Sequence, residues 1–357
     1  MAQNVNDALK WDMNPNSKEK VSFGWCTSLR VNDQQGNVYH GRTLEYATVM
    51  PFNLTYYPVG YEFTYYAPDN KTKGLSYKTK YEVLAVTTPV SDFLNPQLEG
   101  INSAGLSASL NMKTDSSLPV LPQSQYSNSL IWALTMEWAL ATCGSVEDIK
   151  ANIGNVSFWT EGSPFSVMIE FHYVFYDTTG ACLVLEISDG KLHIIDNPTG
   201  VLTNGPEFAW HLTNLNNYTN LTNLDVSTAT LGGLKLKQPD SGIATATLPS
   251  SNTSVGRFVR AVFYSTFALK RDTSDGQMIE LSHIMNNFDR PKNMTKSELD
   301  EGGGASGGES EYSEWTTLTD LKKKEMYLRT YYDFNYTKYS IKDFTSGHKK
   351  VVIPIIK

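Results

Sequence analysis

The chain has 357 residues, 40% hydrophobic and 12% aromatic, with a formal net charge of −7. That composition suits a large packed core and excludes a disordered chain, and the acidic balance argues against nucleic acid as a partner, because lysine and arginine cluster only in short runs such as Lys322-Lys323-Lys324. No apolar run approaches the roughly eighteen residues of a membrane-spanning helix, no solenoid-like repeat recurs, and no Pro/Gly/Ser linker halves the chain, so one main domain is expected.

The first 25 residues lack the apolar stretch of a secretory signal. Either Met1 is the native start and the protein is cytoplasmic, or the protein is periplasmic or secreted with its signal absent from this sequence. From Lys20, KVSFGWCTSLRV is rich in β-branched and aromatic residues, Asn32 to Gly36 is turn chemistry, and VYHGRTLEY reads as a returning strand. If Val31 and Val38 are partners, Thr27 falls opposite Arg42, within one residue of Cys26 across the ladder. A thiol, a guanidinium and the Glu45 carboxylate then share one hairpin.

Asn53 to Tyr66 and Tyr77 to Val90 alternate as further strands about a turn at Pro68-Asp69-Asn70. Ile101 to Leu106 reads as a turn entering a buried strand from Ser107 to Met112. Leu130, Leu134, Trp138 and Ala141 recur at helical spacing, which predicts a helix over Ser129 to Thr142; Gly144 stops it, and Ser145 caps a second helix through Ile149. A meander follows: FSVMIEFHYVFYD, then ACLVLEIS, then KLHIID after Asp189-Gly190. RFVRAVFYSTFALKR predicts a helix from near Arg257, with Phe258, Val262 and Phe263 towards the core. The acidic, Gly/Ser-rich stretch from Lys296 to Glu311 predicts a mobile loop, and SEWTTLTDL with KEMYLRTYYD predicts a closing strand pair. Strands bracketing grouped helices give an α+β layered architecture.

A lone cysteine usually fills a core. An adjacent cation changes that, because it lowers a thiol pKa and favours the nucleophilic thiolate. Cys143 and Cys182 lie in apolar surroundings and read as core. Three cysteines without metal spacing imply neither a disulfide framework nor zinc, and no cofactor is expected.

Segments spread along the chain in order, CTSLRV, GRTLEY, LEGINSAGLSAS, DNPTGVLTNGPEFAWHLTNLNNY, SVGRFVRAVF, HIMNNFDRPK and EWTTLTDL, resemble the choloylglycine hydrolase family of bile salt hydrolases and penicillin V acylases. The resemblance implies an N-terminal nucleophile hydrolase fold, a four-layer αββα sandwich of two antiparallel sheets, spanning 26–357 after an extension or propeptide over 1–25. It implies that Cys26 becomes the first residue, its thiol attacking a linear amide and its α-amine acting as base. An α-amine titrates near 8 and a thiol near about 8.5, so this pair works at neutral pH without a histidine. His172 and His193 read as hydrogen-bonded sheet residues.

By the same resemblance Arg42 is the arginine beside the nucleophile; its structural reading is an ion pair with Glu45, and the two are compatible. Glu45 stands where the family most often has Asp, orienting the nucleophile's amino group. Asn204 matches the asparagine whose amide donates to the oxyanion, although Asn before Gly-Pro is also ordinary turn chemistry. Arg257 matches an arginine near the nucleophile, with Arg260 pointing elsewhere. Asn111 corresponds to a bile salt hydrolase asparagine with a spacing one residue short of the family's. Loops at Tyr46 to Tyr57, Asn111 to Leu121 and Phe158 to Phe165 are expected to line a pocket for an apolar acyl group. The expected substrate is a small-molecule amide of a small polar amine, of penicillin V, bile salt or N-acyl homoserine lactone type. Alternatives are an unprocessed, non-catalytic binder of amphipathic ligands and an acyltransferase. The resemblance also implies a homo-oligomer, a tetramer.

Overall fold

Strand β1 (Cys26–Asn32) returns as β2 (Val38–Tyr46). Asp33 builds the turn between them: its carboxylate accepts from the backbone N–H groups of Gln35 and Asn37, each at 2.9 Å, and Gly36 takes φ 82°. In this computed structural model the chain is described over residues 25–47, 50–89, 95–114, 116–160, 171–296 and 308–355. The expected propeptide (except Trp25) and most of the Gly-rich loop lie outside those residues, as do 48–49, 115 and 161–165 of the three pocket loops.

The long strands expected on either side of residues 68–70 are each divided, giving β3 (Asn53–Tyr57), β4 (Glu62–Tyr66), β5 (Lys73–Lys78) and β6 (Val83–Thr87). Pro58 removes a donor and Gly60 takes φ 82°, so the first strand turns there. The second breaks after Thr79, whose N–H makes the last rung to Tyr61 O, because Lys80 N–H turns away to Ala141 O. Next come β7 (Gln97–Asn102), β8 (Ser107–Met112) and β9 (Ser129–Ile131). Helix α1 (Thr135–Thr142) starts later than its periodicity predicts, because Ser129 to Ile131 pair in parallel with β10 (Ser157–Trp159). Helix α2 (Val146–Asn152) has the expected cap, with Ser145 Oγ accepting from Asp148 N–H.

The meander is present as β11 (Phe171–Tyr176), β12 (Cys182–Ser188) and β13 (Lys191–Asp196), turning at Asp189 and Gly190 with φ 51° and 71°. Then follow β14 (Val201–Leu202), α3 (Phe208–Asn214), β15 (Thr228–Leu231) and β16 (Leu234–Lys237). Helix α4 (Ser254–Phe267) begins before Arg257 because Thr253 caps it. After α5 (Ser274–Met285), the expected closing pair is β17 (Tyr312–Asp320) and β18 (Glu325–Thr330), followed by β19 (Thr337–Ser340) and β20 (Val351–Pro354).

One sheet has the order β14-β1-β2-β17-β18-β19 and the other β13-β12-β11-β8-β7-β6-β3-β20. The sheets meet through β1 and β8; α4 and α5 pack on the first sheet and α1 on the second, which gives the expected layered α+β sandwich. Every residue of β2, β8 and β17 is buried, as a strand covered on both faces must be. Gly41 lets α5 sit flush on β2, since a Cβ there would lie 2.7 Å from Met285 Sδ.

The hairpin register differs from the expected one by a residue. Asn32, not Val31, pairs with Val38, so Arg42 faces Ser28 and Cys26 faces Leu44. The slip changes the face. In the expected register Arg42 would project away from the thiol; in the observed one the two are diagonal neighbours between the sheets.

Candidate active site

Cys26 opens β1 with 1% of its surface exposed. Its Sγ accepts from Arg42 Nη2 at 3.2 Å, and the same nitrogen donates to Leu110 O at 2.7 Å. The guanidinium stacks 4.7 Å from the Trp315 ring centroid, and its Nε lies 3.8 Å from Glu99 Oε2. Burial pushes the Cys26 thiol up; Arg42 opposes that by charge and by its hydrogen bond.

The Cys26 main chain is held from the other side. Its N–H donates to Asn204 Oδ1 at 2.8 Å, and Arg257 donates to Cys26 O, to Thr27 Oγ1 at 2.7 Å and to Asn204 Oδ1 at 2.7 Å. Burial, then the Arg290 charge, pulls Arg257 down to about 9, so it stays cationic at neutral pH. Asn204 Nδ2 donates to Met112 O at 2.9 Å and keeps a second N–H. The loop carrying Asn204 is fixed by Ser254 Oγ accepting its N–H at 3.0 Å and by His211 Nε2 donating to its carbonyl at 2.9 Å. Burial pulls His211 down to about 4, which keeps that imidazole neutral.

The bond before Cys26 is also pinned, since Trp25 O accepts from Glu45 N–H at 2.8 Å. Glu45 lies on the face of β2 opposite to Arg42, so the ion pair between them does not form. Its Oε1 accepts from Ser313 Oγ at 3.2 Å, and its Oε2 is buried without a hydrogen-bond partner among the described residues. Asn111 lies one step further out: it accepts from Ser28 Oγ at 3.1 Å and donates to Leu202 O and Thr203 O at 3.2 and 2.7 Å, tying both sheets to the strand that leads to Asn204. Arg260 points elsewhere as expected, donating to Pro249 O and Ser251 O. His172 sits in the sheet between Thr203 O at 3.1 Å and Glu186 at 3.4 Å, and His193 contacts Ser188 O at 3.2 Å.

Cys26, Arg42, Asn204 and Arg257 thus meet at one point, with Glu45 behind Trp25. A cavity of about 580 Å³ opens beside Trp25, lined by Asn252, Thr253, Arg290, Lys296 and Glu311 among others. Sequence reasoning missed Glu99 and Trp315. A carboxylate between Leu98 and Gly100-Ile101 in a strand buried along its whole length was the available signal for Glu99. Among the described residues no group of His, Cys, Asp or Glu is arranged to hold a metal.

A profile for linear amide C-N hydrolases, choloylglycine hydrolase family, matches residues 26–351. The chain belongs to that family. It is therefore a hydrolase of the class acting on linear amide C–N bonds. Among its relatives, the bile salt hydrolase/transferase of Clostridium perfringens is 29% identical over 313 residues, covering 86% of this chain and 89% of that protein. The conjugated bile acid hydrolase of Lactobacillus gasseri is 27% identical, covering 92% and 99%. A mutant conjugated bile acid hydrolase from Clostridium perfringens has a similar structure, with a TM-score of 0.79 at 23% identity over 93% of this chain and 97% of that one. For penicillin V acylase from Agrobacterium tumefaciens the TM-score is 0.72 at 20% identity, over 92% and 90%. These likenesses bear out the N-terminal nucleophile fold.

Proposed function

We propose that this choloylglycine hydrolase family member works with Cys26 as its first residue, hydrolysing an amide between an apolar acyl group and a small polar amine through a thioester. The observation that carries this reading is the double hold on Cys26: Arg42 on its sulfur and Asn204 on its nitrogen. With the bond to Trp25 intact, Cys26 is buried and its nitrogen is a non-basic amide. Release of residues 1–25 uncovers both nucleophile and base. The Cys26 α-amine then takes the thiol proton, the sulfur attacks the substrate carbonyl carbon, and the proton passes to the departing amine. Water hydrolyses the thioester and frees the acid.

Arg42 stabilises the developing thiolate. The second N–H of Asn204 serves the oxyanion, a donor worth roughly 3 to 4 kcal/mol; Arg257 fixes both Asn204 and Cys26, and Asn111 supports their loop. Glu45 Oε2 takes the new ammonium, which supplies the partner that this buried oxygen lacks. Bile salts are the leading substrate class on the names of the relatives, with penicillin V next. The hydrolase/transferase names also favour a second reading, in which an amine replaces water in the last step. A homo-oligomer is supported by the hairpin β15–β16, exposed along its whole length with Leu231 and Leu234 at 67% and 64%.

Intact-mass measurement of the purified protein, followed by product analysis with glycine-conjugated bile salts, penicillin V and acyl homoserine lactones, tests the reading. The mass should lack residues 1–25, and Cys26→Ala should abolish cleavage. A fully active protein still beginning at Met1 would refute it. Free acid marks hydrolysis, and a new amide in the presence of added amines marks transfer.

A further inference from the structure

Arg42 is fully buried, and a buried cation needs an anion close by. Two acids face it from opposite ends. Nη2 lies 3.2 Å from Cys26 Sγ, and Nε lies 3.8 Å from Glu99 Oε2. Both acids are sealed between the sheets, with exposures of 1% and 0%.

The remaining neighbours add little charge. Around Glu99, Ser109 of β8 donates to Oε2, and His40 Nδ1 of β2 lies 3.2 Å from Oε1. Burial and then the Arg42 charge pull His40 down to about 3, so its ring is neutral, and burial keeps the hydroxyl of Tyr176 on β11 protonated. Around the thiol, the other charged side chains are Glu45 of β2 and Arg257 of α4, opposite in sign; the α-amine freed by release of residues 1–25 is common to every variant compared below. Between the sheets, one guanidinium therefore faces two ionisable acids.

We propose that Glu99 is a positioning residue for Cys26 that holds the Nε end of Arg42 and competes with the thiol for its single positive charge, so that the thiol ionises as Glu99 becomes protonated. In that exchange one proton leaves Sγ and one joins the carboxylate, so the net charge beside Arg42 is unchanged by it. Burial pushes Glu99 up to about 8, against the pull of Arg42, so both protonation states are accessible near neutral pH. A carboxylate that served packing alone would give the opposite sign: its loss would free Arg42 to leave the sulfur, and the thiol would become harder to ionise.

This coupling deepens the function proposed above and assumes Cys26 as the reactive thiol, but thiol ionisation is measurable whether or not any amide is cleaved. Failure of the coupling and failure of the function therefore read out separately. The measurement is a pH titration of thiolate ultraviolet absorbance, each protein taken against its Cys26→Ala counterpart. Glu99→Gln should lower the thiol midpoint by about one unit, roughly tenfold more thiolate at a given pH. Glu99→Asp, which keeps the charge, should stay near the parent value. Ser109→Ala removes a donor that favours the carboxylate, and should move the midpoint the same way as Glu99→Gln by less. A natively folded Glu99→Gln protein with an unchanged or raised midpoint overturns the proposal. If that variant does not fold by near-ultraviolet circular dichroism, Ser109→Ala decides by the same criterion.

Discussion

Asn204 carries several roles on one side chain. Its Oδ1 receives Cys26 N–H and Arg257 Nη2, and its Nδ2 reaches Met112 O. Replacing it should damage catalysis more than folding, because Ser254 and His211 hold its backbone independently of the side chain. For Asn204→Ala we expect kcat to fall about 100- to 1000-fold, the range for loss of one oxyanion donor, with a smaller change in KM. Steady-state kinetics on the best amide of the panel checks it; a change confined to KM would remove Asn204 from the transition state. Asn204 was singled out through the family resemblance, since the Asn-Gly-Pro string by itself reads as ordinary turn chemistry. Its partner was not legible, because Cys26 lies 178 residues away in the chain.

At the scale of elements, α1 is docked on the β4–β5 hairpin by a buried carboxylate. Glu137 accepts from Tyr65 Oη at 2.5 Å and Tyr77 Oη at 2.9 Å. Burial pushes Glu137 up to about 7, against the pull of the two hydroxyls. The native state therefore keeps a proton that the unfolded chain gives up above about 4.5. The stability contributed by that proton is whole below about pH 4.5 and is lost as pH rises through about 7. Glu137→Gln keeps an acceptor and cannot titrate, so its Tm should fall less than the parent's across that window. Equal slopes in thermal melts would show that Glu137 is already ionised in the fold. Other element boundaries follow local chemistry: Thr253 and Thr273 cap α4 and α5 through the N–H groups of Gly256 and Gly276. The cap at Thr253 was a readable signal that the apolar periodicity starting at Arg257 obscured.

Across the whole molecule, the two sheets close over the site, while β15 and β16 project away from them with all residues exposed. An isolated two-stranded hairpin is marginal in water, and exposed leucines on it call for cover. If a second copy supplies that cover, the double change Leu231→Ser and Leu234→Ser should lower the molar mass found by light scattering without lowering Tm at the same protein concentration by more than a few degrees. A parent protein that is itself monomeric would end the oligomer reading.

The sequence by itself determined the local pieces: the opening hairpin and its turn, the meander turning at Asp189-Gly190, the strand from Ser107 to Met112, the body of α4, and the family. The local pieces depend on short-range causes, namely turn chemistry, alternation and helical spacing, and the family on motifs spread in order along the chain. Only the tertiary structure decided which face of β2 carries Arg42, since a period of two makes a one-residue slip invisible to composition and reverses every side chain. It also decided that Asn204 and Arg257 meet at the Cys26 main chain, and that Glu99 lies behind Arg42. Those contacts join distant segments across two sheets, and they exist only once burial has brought the sheets together and removed the water that would otherwise satisfy each charge.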